Sequence, residues 1–293
     1  MKLIAFMNVM NGSSWVGYAI GSVYNAVDKI IVGHGPSTDS TGEILEAIRN
    51  LNPYKKVEIF DEVEKSADPR GSAGLKNRIC RKALSYSPDW LFQIDHDHIF
   101  YDNVIDAKFR LSLVDQDVGL IRTEQIYLYA ANFPNGSLRI PMKTPIIPND
   151  VRVDQASFIT FIRAVPTIHW TEPAHENLTG VQGRDTAMRL LKFVHTGPLD
   201  PEDIFVKKRI GYYRIEHLGE NLSEEEIRDR LIGSGEIDLN GNSALKHRAS
   251  ITGYHFTEFK DVDFPLPEIL RNYETGSSKK DIENIVNYIR SGR

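Results

Sequence analysis

Residues 89–98 read Asp89-Trp90-Leu91-Phe92-Gln93-Ile94-Asp95-His96-Asp97-His98, a strongly β-prone apolar run that stops abruptly in charge. Upstream, Gly71 to Ser87 carries Leu75, Ile79, Ala83 and Leu84 at helical spacing. Further back, Leu3-Ile4-Ala5-Phe6-Met7, Lys29-Ile30-Ile31-Val32 and Val57-Glu58-Ile59-Phe60 read as buried strands. Helix-period segments lie between them, from Trp15 to about Tyr24 and over Ile44, Leu45, Ile48 and Leu51, where Ser40 and Glu43 have capping-box spacing. Short apolar runs alternating with helices are the pattern of βαβ units, so an α/β fold with a mostly parallel sheet flanked by helices is predicted. In such sheets ligands collect outside the carboxyl ends of the strands. The Asp95–His98 tetrad and the turn-forming loop Gly33-His34-Gly35-Pro36-Ser37 both fall at that edge.

From Val118 to Arg163 the pattern is less regular, with extended runs at Gln125–Tyr129 and Phe158–Phe161. Arg189 to Val194 is a further apolar run ending at His195. Beyond it helical segments dominate: Ser223-Glu224-Glu225-Glu226 caps one of them, and Ile282, Ile285, Val286 and Ile289 stripe the last helix. No flexible linker separates the parts. The expected organisation is a catalytic domain over 1–200 and a helical C-terminal extension over 201–293 docked on it.

The 293 residues carry 40 Asp and Glu against 35 Lys and Arg, a net charge of −5, with 41% hydrophobic residues. This is an ordinary globular composition, large enough for a core without disulfides or metal staples. A pI near 6.0 supplies no bulk attraction for nucleic acid. No window reaches the roughly 18 apolar residues of a membrane helix, since Ala156 to Trp170 is interrupted by Arg163 and Pro166. A single cysteine, Cys80, fits a reducing compartment, and a cytoplasmic protein is expected.

While the backbone stays extended, Asp95 and Asp97 present their carboxylates on one side. Two hard oxygen donors suit Mg²⁺ or Mn²⁺, which leave other positions to water and phosphate. The same spacing recurs at Asp115/Asp117 and Asp261/Asp263, for which solvated loop acids are the simpler reading. Tyr127, Tyr129, Phe133 and Trp170 offer faces for stacking a sugar, but aromatics on extended segments are more often core, and they stay outside the expected site.

Taken together, these stretches resemble the family-2 glycosyltransferases, nucleotide-sugar-dependent enzymes of the GT-A fold. Ser37-Thr38-Asp39-Ser40-Thr41 stands where that family has its "DDGSTDGT" loop, and Lys76-Asn77 where it has "RN". Asp89 to Asp97 looks like its "dWil.lDaD" strand and metal motif. Ala174-His175-Glu176-Asn177-Leu178 resembles the "HE.l" motif of one branch, and His195-Thr196-Gly197 its "H.G". The resemblance covers roughly the first two hundred residues. One departure is clear: the family's nucleoside-contacting Asp falls on His34, and its Gly on Pro36. An imidazole replaces a fixed negative charge there, which leaves the nucleotide preference open.

The resemblance implies a GT-A, Rossmann-like domain that transfers a sugar from a nucleoside-diphosphate sugar to an acceptor hydroxyl, with inversion. It implies donor contacts from Asn8, His34, Asp39, Lys76, Asn77 and Asp95, and a Mg²⁺ or Mn²⁺ site on Asp95, Asp97 and His195. A bound cation would stabilise the departing diphosphate as a Lewis acid. His195 is alternatively a strand-end residue bonded to backbone, and Lys76 a member of a solvated basic helix face. The acceptor needs a carboxylate to take its proton. Glu176 is the expected base, Glu172 its rival, and surface salt bridging the alternative for both. The acceptor class is open: glycan, lipid, protein or small molecule.

Three other functions are weighed. A nucleotidyltransferase normally needs a Gly-rich basic loop after the first strand, whereas Asn8-Val9-Met10-Asn11-Gly12-Ser13-Ser14 has one Gly and no Lys or Arg. A catalytically silent nucleotide- or sugar-binding protein would bind without turnover. A metal-dependent phosphohydrolase would carry more clustered His and Asp ligands.

Overall fold

The computed structural model describes residues 1–35, 37–51, 56–61, 71–127, 131–132, 138–141, 157–171, 177–196, 206, 209–210, 213–214, 217, 220–234, 237, 256–257, 267–270 and 278–292. Its strands are β1 (Leu3–Val9), β2 (Lys29–His34), β3 (Val57–Asp61), β4 (Trp90–Gln93), β5 (His98–Phe100), β6 (Val118–Tyr127), β7 (Ala131–Asn132), β8 (Leu138–Pro141), β9 (Ser157–Arg163), β10 (His169–Thr171), β11 (Asn177–Thr179), β12 (Arg184–His195) and β13 (Phe256–Thr257). The α-helices among these residues are α1 (Val16–Val23), α2 (Thr41–Asn50), α3 (Gly71–Leu84), α4 (Ala107–Ser112), α5 (Glu224–Gly233) and α6 (Ser278–Arg290). Two compact units divide the chain: one comprises Met1–Ile126, Ile147–Val194 and Leu266–Arg293, the other Tyr127–Ile146 and His195–Pro265.

The first unit is built on an eight-stranded mixed sheet of order β3-β2-β1-β4-β9-β6-β12-β5. Its β3-β2-β1-β4 part is parallel throughout, as the βαβ alternation predicts, with Asn8 opposite Gly33 and Phe6 opposite Gln93. Beyond β4 the sheet turns antiparallel, β9 pairing with both β4 and β6. The central strand β1 is buried on both faces, which its unbroken apolar run requires. On one face Ile4, Phe6, Ile31 and Leu91 pack with Ile79, Cys80 and Ala83 of α3 and with Trp170. Burial pushes the Cys80 thiol up to about 12, leaving it an inert core group. Among the described residues no helix is long and apolar enough to cross a membrane.

The apolar stripe read on the last helix is used in packing. Helix α6 lies on α1 and α2, with Ile285 and Ile289 buried. Glycines on α1 make this approach possible: a Cβ at Gly17 would stand 2.6 Å from Ile285 Cδ1, and one at Gly21 3.3 Å from Ile285 Cγ2. Ile285 therefore wedges against the two helices that follow β1 and β2. Replacing it, at 2% exposure, with alanine removes buried methylenes and leaves a cavity. The expected loss is about 2–4 kcal/mol of stability, read as a lowered urea midpoint for the first unit.

The second unit contains a three-stranded sheet of order β13-β8-β7 and a cluster of Val206, Ile210, Ile227, Leu231 and Ile237. Its helix α5 begins at the expected cap, which takes the form of a capping box, Ser223 Oγ accepting from Glu226 N–H at 3.2 Å while the Glu226 carboxylate accepts from Ser223 N–H at 2.7 Å.

Candidate active site

Three connections meet at the carboxyl edge of the parallel strands. The first two, after β1 and after β2, are stitched into one piece. Asn11, in the left-handed region with φ 50°, accepts the Thr38 N–H on its side chain at 2.8 Å, and its own N–H donates to Ser37 Oγ at 3.0 Å. Gly12 N–H donates to Thr41 Oγ1 at 2.9 Å, and Ser13 N–H to Asp39 Oδ2 at 3.0 Å. The other Asp39 oxygen accepts from the N–H and hydroxyl of Thr41. Burial opposes ionisation of Asp39, but these hydrogen bonds outweigh it and hold the carboxyl below its ordinary range.

Asp39 thus braces the loop pair and starts α2. The capping role expected of Ser40 falls to it, since Ser40 makes no side-chain cap bond. His34 ends β2 half-buried, with Nε2 3.2 Å from Ser37 Oγ. Pro36 lies outside the described residues.

The third connection is the acidic tetrad. β4 ends at Gln93, and His98 N–H donates to Asp95 O at 3.1 Å, so residues 95–98 form a turn leading into β5. The extended backbone assumed for the Asp95/Asp97 pair is not present, because the chain reverses there. The turn changes which side chains converge. Ligand atoms of Asp97, His98 and His195 all lie within 4.8 Å of one another, whereas Asp95 does not belong to that group.

His98 is the residue that sequence reading passed over. It is 2% exposed, and its ring lies tilted against Phe193 at 4.3 Å and edge-on to Phe158 at 4.5 Å. Asp95 N–H donates to its Nδ1 at 3.4 Å. Asp97 is buried, and His195, half-buried, closes β12. The signal was available in the Asp-His-Asp-His spacing, whose i to i+3 separation suits a turn better than a strand.

Two ligands about 2.1 Å from one ion stand at most about 4.2 Å apart, so a contraction of roughly half an ångström would let this trio hold a divalent cation. One carboxylate and two imidazoles fit such an ion, leaving further positions for other oxygens.

Asp95 sits beside the trio. Burial raises its carboxyl pKa, but the charges of His98 and Lys76, aided by His96, overcome both burial and repulsion from Asp97, so the group lies below the usual carboxylate range. His96 packs against the loop after β1, where a Cβ at Gly12 would stand 2.8 Å from its ring. Lys76 is 4% exposed, with Nζ 5.6 Å above the Trp170 ring. The solvated-face reading of this lysine does not hold, because α3 points it into the protein. Asn77 is bonded to the Trp170 backbone. Asn8, half-buried near the end of β1, is the remaining expected donor contact.

Glu172 and Glu176, the two candidates for the base, lie outside the described residues, as do Gly197, Phe133, Tyr129 and the Asp261/Asp263 pair. The flanking residues Thr171 and Asn177 are paired across β10 and β11. Asp115 and Asp117 are exposed and taken up by Arg184, each at 2.8 Å.

No protein-family model and no curated protein sequence matches the chain. Among solved structures, it is similar to a mannosyltransferase from Pyrobaculum calidifontis in complex with GDP-Man and Mn²⁺, at 12% identity, covering 99% of this chain and 85% of that one with a TM-score of 0.44. It is similar to TarS of S. aureus at 14% identity, covering 82% of this chain and 46% of that one with a TM-score of 0.43. A third, HddC from Yersinia pseudotuberculosis, has 16% identity, covering 75% of this chain and all of that one with a TM-score of 0.37. The chain spans less than half the length of TarS. Functional assignment therefore rests on the chain's own residues.

Proposed function

We propose that the chain is a glycosyltransferase that moves a sugar from a nucleoside-diphosphate sugar to an acceptor hydroxyl. The observation that carries this reading is the gathering of Asp97, His98 and His195 beside two stitched loops at the carboxyl edge of a parallel sheet. Asp97, His98 and His195 would hold a divalent cation, and the two imidazoles weight the set toward Mn²⁺ over Mg²⁺. Bound there, the cation supplies Lewis-acid stabilisation of a leaving diphosphate.

The remaining steps belong to the chain. Lys76 contributes a buried positive charge whose field reaches Asp95. Asp39 keeps the two loops in one arrangement, so the donor meets a preformed surface. His34 and Asn8 stand at the strand ends where a nucleoside would lie. Glu176 takes the proton of the attacking acceptor hydroxyl, with Glu172 as the alternative, and attack opposite the leaving group inverts the anomeric carbon. The catalytic part is assigned within residues 1–200 and the extension to 201–293, although the compact units cut across that division, Leu266–Arg293 belonging with the main sheet and Tyr127–Ile146 with the second unit. A reducing cytoplasm suits the one buried thiol, Cys80.

A nucleotidyltransferase is the weaker reading, because the loop after β1 offers one glycine and no basic residue to a triphosphate. The test is a thermal shift of the protein with UDP, GDP, CDP, ADP and dTDP, each with and without Mn²⁺, and with the matching triphosphates. At a hundred times Kd, a ligand of the folded state adds about 2.7 kcal/mol, a shift of several degrees. A shift with one diphosphate that requires Mn²⁺ is expected. No shift with any nucleotide overturns the reading, and a shift with triphosphates alone turns it toward nucleotidyl transfer.

A further inference from the structure

The side chain of Asn77 is bonded at both ends to the backbone of one distant residue. Its Nδ2 donates to Trp170 O at 2.8 Å, and its Oδ1 accepts from Trp170 N–H at 2.7 Å. Both backbone groups of Trp170 therefore point away from β11. The opposed pair Trp170 and Leu178 is then a rung without ladder hydrogen bonds, flanked by His169 with Thr179 and Thr171 with Asn177. Asn77 occupies the open edge of this two-stranded ribbon as a third strand would.

The ribbon is a sheet of its own, separate from the eight-stranded one, and packs on α3. Trp170 is the other half of the anchorage: it is 3% exposed, meets Phe6 edge-on at 5.6 Å, and lies under Lys76 Nζ. Two consecutive helical residues thus face different parts of one site. Lys76 acts on Asp95, and Asn77 fixes Trp170, one residue before the end of β10. The chain leaving β10 at Thr171 and re-entering β11 at Asn177 carries Glu172 and Glu176.

We infer that Asn77 is a positioning residue, holding the β10–β11 ribbon in register on α3 with Trp170 beneath Lys76. The inference rests on the glycosyl-transfer reading above and assigns Asn77 a role other than donor contact. A displacement of about 1 Å in a reacting group costs on the order of a hundredfold in rate. Binding of metal and nucleotide, which uses other residues, is untouched.

The experiment compares wild type, Asn77→Ala and the near-isosteric Asn77→Asp, which keeps the acceptor for Trp170 N–H and loses the donor. Three quantities are read: turnover of a panel of UDP- and GDP-sugars with kcat and KM separated, the Mn²⁺-dependent thermal shift with UDP and GDP, and amide exchange across residues 168–179. Asn77→Ala is expected to lower kcat roughly 10- to 100-fold, keep KM and the thermal shift within twofold, and lose protection in the ribbon. Asn77→Asp falls between it and wild type. Undiminished kcat in Asn77→Ala overturns the inference. So does a kcat loss accompanied by loss of the nucleotide shift, which would return Asn77 to the donor pocket. Wild type that turns over no sugar nucleotide overturns the glycosyl-transfer reading instead, and the catalytic role of Asn77 falls with it.

Discussion

Replacing Asp97 with alanine is expected to abolish Mn²⁺ binding, and replacing His98 with alanine to weaken it at least about a hundredfold. Asp97 is the trio's carboxylate and the group that offsets the cation's charge, so its loss leaves only two imidazoles, which offer no negative charge. His98 is clamped between Phe158 and Phe193, which means its ring needs no ordering when an ion arrives. Alanine there removes both a ligand and that preorganisation. Asp95 provides the internal comparison. It lies outside the trio, and its charge is felt through His98 and Lys76. Asp95→Ala should therefore keep measurable affinity for the metal alone, by calorimetry, while Asp97→Ala shows none. Equal losses in the two variants would restore the paired-carboxylate site that their spacing suggests, and unchanged binding in Asp97→Ala would remove the metal from this turn.

That contrast also marks where sequence reading reaches and where it stops. The parallel half of the sheet was legible because its strands are short apolar runs set off by helix-period segments, and burial of β1, β2 and β4 on both faces permits little else. The last helix was legible for a related reason: Ile285 and Ile289 recur on one face, and that face is buried. The tetrad was located correctly but folded wrongly in expectation. Period-two geometry holds only within a strand, and β4 ends two residues before Asp95. Once the backbone turns, Asp95 meets His98 across the i to i+3 span, its Oδ2 standing 3.8 Å from Nε2, while Asp97 and His98 gather with His195. Lys76 was misjudged because basic neighbours on a helix suggest a wet face. Whether a lysine lies under a tryptophan ninety-four positions away is a tertiary fact. The same holds for Asn77, whose bond partner is Trp170. Local sequence carries no trace of such pairings, since they depend on how the ribbon packs on α3.

Glu176→Gln is expected to retain the Mn²⁺-dependent nucleotide shift and to lose about 10²- to 10⁴-fold in kcat for transfer, the usual contribution of a positioned general base. An acceptor hydroxyl has a pKa far above neutrality, so attack on the anomeric carbon requires the proton to leave as the bond forms. Glutamine preserves the shape of the side chain and cannot accept that proton. The same change at Glu172 should leave kcat within a few-fold of wild type. The two residues are separated by three others and enter from opposite ends of one connection, Glu172 directly following β10 and Glu176 directly preceding β11. Thr171 and Asn177, their chain neighbours, face each other across the ribbon that Asn77 holds. An outcome in which Glu172→Gln carries the loss exchanges their roles without changing the chemistry. Full transfer in both variants would place the proton acceptor outside this connection.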